Sequence, residues 1–105
     1  MRRLQIVPKP GFRLYGALVA KEVELSLKNR GTLRRSGRKL KERARWEHKK
    51  YPGWLKLARG MGEVVDIEVR STGKGEDWQL LRSILGFIDR HFGNKIRVIS
   101  IQYGR

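Results

Sequence analysis

The chain has 105 residues, of which 25 are Lys or Arg and ten are Asp or Glu, so its formal net charge at neutral pH is +15. This length predicts a single domain over residues 1–105, with one core and no room for two independent cores. Cysteine is absent, which excludes disulfides, thiolate metal sites and cysteine nucleophiles, and no apolar run approaches the roughly 20 residues of a membrane-spanning helix.

The amino-terminal segment does not have the pattern of a secretory signal. Residues 1–7 are basic and lead into a Pro-Lys-Pro-Gly stretch at 8–11, where a signal peptide needs an apolar run. Together with the absence of cysteine, this predicts a cytoplasmic protein that makes no contact with a membrane.

Residues 12–28 carry two conflicting patterns. Between residues 22 and 27, apolar and polar side chains alternate, which is typical of a strand. Val19, Val23 and Leu27 also fit one face of a helix. We favour the strand and keep the helix as the alternative.

Residues 28–50 hold most of the positive charge of the chain. These 23 residues include eleven Lys or Arg and only two acids, so nine of the fifteen net charges lie here. An Asn-Arg-Gly stretch at 29–31 predicts a turn into a short strand near 32–35. Residues 36–50 have few apolar side chains to bury, so we predict a basic loop or ribbon (about 28–50) that projects from the domain.

The second half of the chain predicts strand, turn, strand, helix and strand. Residues 54–59 and 63–70 form a hairpin around a Gly-Met-Gly turn, and the second of these strands alternates between apolar and polar side chains. From 76 to 92, apolar residues recur with helical period over more than four turns. Residues 95–103 are rich in β-branched side chains on both faces, which predicts an inner strand.

These elements predict an α+β fold. It contains an antiparallel or mixed sheet of four to five strands, with one long helix (about 76–92) packed on one face. The architecture is similar to that of RNA-recognition sheets, which stack bases on aromatic side chains of a central strand. Val65, Ile67 and Val69 are aliphatic instead, so the predicted binding surface moves from the sheet to the basic segment.

The basic segment predicts a polyanionic partner. Charge this dense repels itself unless counter-ions or a polyanion offset it, and phosphodiester backbones are the commonest polyanions. Cations neutralise phosphates, and aromatic rings offer flat faces to unpaired bases. The predicted nucleic-acid-binding residues are Arg34, Arg35, Arg38, Lys39, Lys41, Arg43, Arg45, Trp46, His48, Lys49, Lys50 and Tyr51.

The aromatic residues near this segment allow two interpretations each. Trp46 and Tyr51 either stack on bases or pack against the domain, and neither interpretation is preferred. Trp54 stands at the start of a predicted strand, so we expect it to lie in the core.

Two acidic residues are candidates for a metal site. Asp66 and Glu68 lie two positions apart on one face of a strand, and such a pair can hold a divalent cation. The stretch resembles the second half of a restriction-type nuclease motif, with Arg70 where a lysine is usual. Carboxylates in this pattern more often belong to the solvated face of a strand, so we predict no metal and no cofactor.

The two histidines are candidates for acid–base catalysis. His48 lies among cations, which lower the pKa of an imidazole and favour the neutral form that a general base requires. His91 lies at a helix end, where the dipole favours the charged form. Nothing in the sequence brings the two together, so we predict no catalytic residue.

The sequence therefore predicts a nucleic-acid-binding domain that prefers RNA to DNA and is not an enzyme. Two alternatives stay open, which are a small basic ribonuclease of the toxin-like, messenger-RNA-cleaving kind and an interaction module for an acidic protein partner. Binding that persists in high salt would favour the protein partner, because phosphate contacts weaken steeply with salt.

Overall fold

The computed structural model describes residues 1–38, 40–73 and 77–104, which form an α+β fold. The strands and α-helices in chain order are β1 (Arg2–Pro8), α1 (Leu14–Leu27), β2 (Leu33–Arg35), β3 (Arg43–His48), β4 (Gly53–Arg59), β5 (Val65–Ser71), α2 (Asp77–Phe92) and β6 (Ile96–Tyr103). Within the described ranges, no helix combines the length and apolar character that a membrane crossing requires.

The strands form one antiparallel sheet in the order β2-β3-β4-β5-β1-β6. Successive side chains of a strand point to opposite faces, and one set is buried while the other is more exposed. Leu4, Leu57 and Ile67, for example, are at most 1% exposed. We call the face that buries them the covered face and the opposite one the open face.

The core lies between the covered face and the two helices. From α2 it takes Leu80, Leu81, Ile84, Phe87, Ile88 and Phe92. Trp46 of β3 is fully buried in the same cluster, and its ring meets that of Phe87 nearly edge-on at a centroid distance of 5.4 Å. Both helices therefore pack on one side of the sheet, and no helix among the described residues covers the other side.

Residues 14–27 form helix α1, so the predicted strand over 12–28 is wrong. The buried residues of this helix recur with helical spacing, at Leu14, Tyr15, Leu18, Val19 and Glu22. The alternation between residues 22 and 27 was misleading because Leu27, at its end, is 83% exposed.

The Asn-Arg-Gly stretch ends α1 and does not connect two strands. Asn29 has a φ of 53°. Its amide N–H donates to the carbonyl of Ser26 at 3.0 Å, and the amide N–H of Arg30 donates to the carbonyl of Leu25 at 2.8 Å. This pair of bonds is a Schellman motif, in which a left-handed residue satisfies the last carbonyls of a helix.

The basic segment does not project from the domain as predicted. A short strand, β2, forms near 32–35 as expected, but β3 lies inside the sheet and pairs with β2 on one side and β4 on the other. Ala44 and Trp46 are buried. Residues 36–38 and 40–42, between β2 and β3, form no helix or strand, so a loop is confirmed there.

The second half follows the prediction more closely. The β4–β5 hairpin is confirmed, as is the long helix, with residue 76 outside the described residues. The inner position predicted for 95–103 is wrong. β6 is an edge strand, and Val98 and Tyr103 are 50% and 66% exposed. Over the described residues, the sheet has six strands instead of four to five, and two α-helices cover it instead of one.

Candidate nucleic-acid interface

The open face of the sheet is rich in cations. On β1, β3, β4, β5 and β6, its side chains, from the alternation and the strand register, are Arg3, Gln5, Val7, Arg43, Arg45, Glu47, Trp54, Lys56, Ala58, Asp66, Glu68, Arg70, Val98, Ser100 and Gln102. Five of these are cations and three are acids. Trp54 is the one aromatic side chain in the set.

A groove of about 990 Å³ lies between the open face and the β2–β3 loop. We call it the basic groove. Its charged lining consists of the cations Arg3, Arg38, Arg43, Arg45 and Lys56 and the acids Asp66 and Glu68. Arg3 and Glu68 form an ion pair at 3.6 Å. Cations thus outnumber acids five to two, so the groove attracts anions.

The loop that forms one wall of the groove is tied to the domain. The hydroxyl of Tyr15, on α1, donates to the carbonyl of Leu40 at 3.2 Å. Burial, reinforced by the nearby Glu42 carboxylate, raises the pKa of Tyr15, so the hydroxyl keeps its donor proton at neutral pH. Arg59 pairs with Glu42 at 3.9 Å and with Glu63 at 2.7 Å. These contacts hold the wall in place before a ligand arrives.

Trp54 lies on the open face of β4, surrounded by three cations. The Nζ atom of Lys56 is 4.5 Å from the centre of its ring, and the Cζ atoms of Arg45 and Arg70 are at 5.6 and 5.7 Å. All three lie within the range of a cation–π interaction. The prediction that Trp54 belongs to the core is wrong, because the buried residues of β4 are Leu55 and Leu57.

A glycine allows β4 to reach this position. Gly53 has a φ of 129°, and a Cβ atom there would lie 2.3 Å from the carbonyl oxygen of Arg70. Only glycine fits a backbone this close to its neighbour. Gly53 therefore fixes the approach of β4 to β5 next to the Trp54–Arg70 pair.

Trp46 cannot stack on a base from its place in the core. It is fully buried, so the predicted stacking role is wrong for this residue. The alternative, that Trp46 holds the segment to the domain, is what the structure shows. The alternation of side chains along β3 explains why Trp46 is buried. Ala44 and Trp46 lie on the covered face, while Arg43 and Arg45 lie on the open face.

The remaining predicted residues divide into separate groups. Arg38, Arg43 and Arg45 line the basic groove, and Lys41 is an exposed residue of the same loop. Lys39 lies outside the described residues. The last two residues of β2, Arg34 and Arg35, border a second cleft of about 300 Å³ against α1.

The β3–β4 turn carries the last of the predicted cations. Lys49, Lys50 and Tyr51 follow the carboxyl end of β3, whereas the groove lies at its amino end. A six-residue strand is roughly 20 Å long, so the basic segment does not form one continuous patch.

His48 organises this turn. Its Nδ1 atom accepts the amide N–H groups of Lys50 and Tyr51 at 2.9 and 3.3 Å. Burial, with a smaller effect from Lys50, lowers the pKa of His48. The neutral imidazole that results carries its proton on Nε2, as these two hydrogen bonds require. His48 therefore stabilises the turn through Nδ1, and the unprotonated nitrogen that a general base would use is already a hydrogen-bond acceptor.

His91 differs from its predicted state. Burial and the nearby cations Lys21 and Arg90 lower the pKa of His91 and outweigh the opposite effect of Glu24. The ring lies 4.9 Å from that of Phe87. Burial and these two cations thus favour the neutral imidazole, whereas the sequence analysis expected the helix dipole to favour the charged form.

The carboxylates Asp66 and Glu68 do lie on one face, which is the open one. Glu68 is engaged by Arg3. In the part of the chain that the structure describes, no group of three or more His, Cys, Asp or Glu side chains could hold a metal ion. Both carboxylates line the basic groove together with its cations.

Comparison with models of protein families, with curated proteins and with solved structures finds no match to this chain. We therefore infer function from the arrangement of its own side chains.

Four residues of this surface were missed by the sequence analysis, namely Arg3, Trp54, Lys56 and Arg70. The signal for Trp54 and Lys56 was present, because strand alternation places both opposite Leu55 and Leu57. Arg3 carried the same signal, because residues 3–6 alternate between polar and apolar side chains, but the sequence did not show that β1 pairs with β5 beside the groove.

Proposed function

We propose that this protein binds nucleic acid, RNA in preference to DNA, through the basic groove and the open face of the sheet. The observation that carries the proposal is the groove lining, where cations outnumber acids five to two. A phosphodiester chain supplies repeated negative charges at a spacing that a row of cations can follow, and the release of its counter-ions favours binding.

Most of these cations are available to a ligand. Among the described residues, no ion pair within 4.0 Å joins Arg38, Arg43, Arg45 or Lys56 to an acid. Their mutual repulsion is an unfavourable feature of the free protein. A bound phosphate chain removes that repulsion, and the anchored loop keeps the cations in position for it.

The charge of the two helices favours RNA over duplex DNA as the ligand. A helix that reads the major groove of DNA presents polar and basic side chains on its exposed face. The exposed charged residues of α1 and α2 include Glu24 and Asp89 as well as Arg82 and Arg90. Because neither helix offers a basic face, the sheet and the groove are the better candidates. Such surfaces are suited to irregular or unpaired RNA.

A charge-matched pair of variants tests this proposal. The groove variant carries Arg38→Ala, Arg43→Ala and Arg45→Ala, and the control carries Arg13→Ala, Arg82→Ala and Arg90→Ala. Each loses three exposed cations. At 0.15 M salt, we expect the groove variant to lose on the order of a hundredfold in affinity for RNA and the control to lose only a few-fold. Equal losses would contradict the proposal.

The ribonuclease alternative has less support. The Nδ1 atom of His48 already accepts two backbone N–H groups, and its other nitrogen holds the proton. An acidic protein partner would compete for the same cations, and the salt dependence of binding distinguishes it from RNA.

A further inference from the structure

Trp54 is the part of the open face that phosphate binding does not explain. Its indole lies among charged side chains on the open face, opposite the two helices of the described residues, and it is not part of the core on the covered face. Tryptophan is enriched at binding interfaces, where one part of the side chain is apolar and the other is polar. Trp54 is partly exposed, so its ring can offer a flat face to a ligand with an apolar, flat component.

The ring and the groove form one surface. Arg45 and Lys56 line the basic groove, and both also lie within 6 Å of the Trp54 ring centre. Arg70, directly opposite Trp54 in the strand register, extends the cationic border on the far side. When the phosphates of an RNA strand contact Arg45 and Lys56, a neighbouring base of that RNA lies close to the indole of Trp54.

The cations near Trp54 do not prevent stacking. Arg45, Lys56 and Arg70 are all exposed side chains, so they can move when a ligand arrives. A phosphate is a stronger partner for an ammonium or guanidinium group than an indole ring is. When the phosphates bind, the cations turn to them and leave the ring free for a base.

We propose that Trp54 is a stacking platform for an unpaired base, so that the protein prefers single-stranded RNA to double-stranded RNA. This inference rests on the proposed function and specifies its ligand. In a duplex, each base is already stacked between its neighbours and is not accessible to a protein ring. A base stacked on an aromatic side chain strengthens binding by about 5- to 150-fold.

Replacement of Trp54 separates stacking from phosphate binding. The probes are a 12-nucleotide RNA without self-complementarity and the duplex that it forms with its complement. In Trp54→Leu, we expect affinity for the single strand to fall about 5- to 150-fold, while affinity for the duplex and the salt dependence stay close to the parent. Trp54→Phe should recover part of the loss, because it restores an aromatic face.

Two controls protect this interpretation. Trp78 is 49% exposed on α2, on the covered side of the sheet, and Trp78→Leu should leave single-strand affinity unchanged. Urea unfolding of Trp54→Leu reports whether the fold is intact, and Trp54→Phe keeps the test valid if the leucine variant is unstable.

Fluorescence provides a direct readout. In a Trp78→Phe background, the tryptophans that remain are Trp54 and the buried Trp46, so a base that stacks on the open face quenches Trp54 alone. We expect quenching by the single strand and much less by the duplex.

The failures of the two proposals are distinguishable. If the parent binds single-stranded RNA with the expected salt dependence but Trp54→Leu binds equally tightly and no quenching occurs, the stacking inference is wrong and the proposed function stands. If the parent binds neither RNA, both are wrong.

Discussion

At the scale of single residues, the face of the sheet decides what a side chain can do. Trp46 and Trp54 lie eight positions apart, yet one is fully buried against Phe87 and the other faces the groove side of the sheet. Composition predicts only that aromatic rings accompany the cations. The alternation within each strand assigns each ring to a face, which is information that the sequence contains.

His48 predicts a pH dependence of stability. Its pKa is lowered in the folded protein, so the unfolded chain binds the proton more tightly. The contribution of His48 to the stability of the fold is therefore complete above the ordinary pKa of about 6.5, and it is lost as pH falls below that value. We expect the urea midpoint to drop between pH 7.5 and pH 5, and to drop less in His48→Asn. The pKa of His91 is also lowered, so His91 contributes to the same drop in the urea midpoint. The variant His91→Asn measures that contribution. An NMR titration that places His48 at or above pH 6.5 would contradict this account.

The same histidine predicts the absence of RNA cleavage. A base must have a free, unprotonated nitrogen, whereas Nδ1 of His48 accepts the N–H groups of Lys50 and Tyr51. Labelled single-stranded RNA incubated with the purified protein should stay intact with and without Mg²⁺ or Mn²⁺. Cleavage that persists with a chelator and disappears in His48→Ala would establish a metal-independent ribonuclease. Cleavage that is lost with a chelator and in Asp66→Ala would instead establish a metal site.

The backbone at Gly53, next to the proposed stacking residue Trp54, requires glycine. An alanine Cβ there would meet the carbonyl oxygen of Arg70 at 2.3 Å, at a φ of 129°. We expect Gly53→Ala to lower the free energy of unfolding by more than about 1 kcal/mol. Gly16, inside α1, has no atom within 4 Å of an added Cβ, so Gly16→Ala should stabilise by roughly 0.5 to 1 kcal/mol. Urea unfolding of both measures the contrast, and equal midpoints would contradict it.

At the scale of helices and strands, the sequence patterns that gave correct predictions belong to elements with one buried face. α2 buries a stripe at helical period and β5 alternates cleanly, so sequence period was enough to identify both. α1 was misassigned because the alternation at its carboxyl end falls on partly exposed side chains. β6 was misplaced because β-branched residues on both faces suggest burial, whereas its place at the edge depends on β1 filling the inner position.

The core role of α2 can be tested with one pair of variants. Ile88 is fully buried between α2 and the sheet, and Arg82 is exposed on the same helix. Ile88→Ala should lower the free energy of unfolding by about 2 to 5 kcal/mol, since it leaves a cavity. Arg82→Ala should change it by less than about 0.5 kcal/mol. An unchanged urea midpoint for Ile88→Ala would show that the buried face of α2 is misassigned.

At the scale of the whole molecule, folding redistributes the charge that the sequence concentrates in one segment. β3 separates the cations of residues 28–50 into a groove group and a turn group, and Arg3 and Lys56 join the groove from β1 and β4. Charge density along the chain was enough to predict a polyanionic partner. It could not locate the site, because the groove is made by strand order and by a loop fixed through Tyr15.

The most direct test of the central claim is the slope of log affinity against log salt for single-stranded RNA, measured for the parent, the groove variant and its charge-matched control. Each phosphate contact contributes about 0.7 to this slope for a single strand. We predict that Arg38→Ala, Arg43→Ala and Arg45→Ala together flatten it by about 2, while the Arg13, Arg82 and Arg90 control keeps the parental slope. If the groove variant keeps the parental slope, the phosphates are held elsewhere and the basic groove is not the binding site.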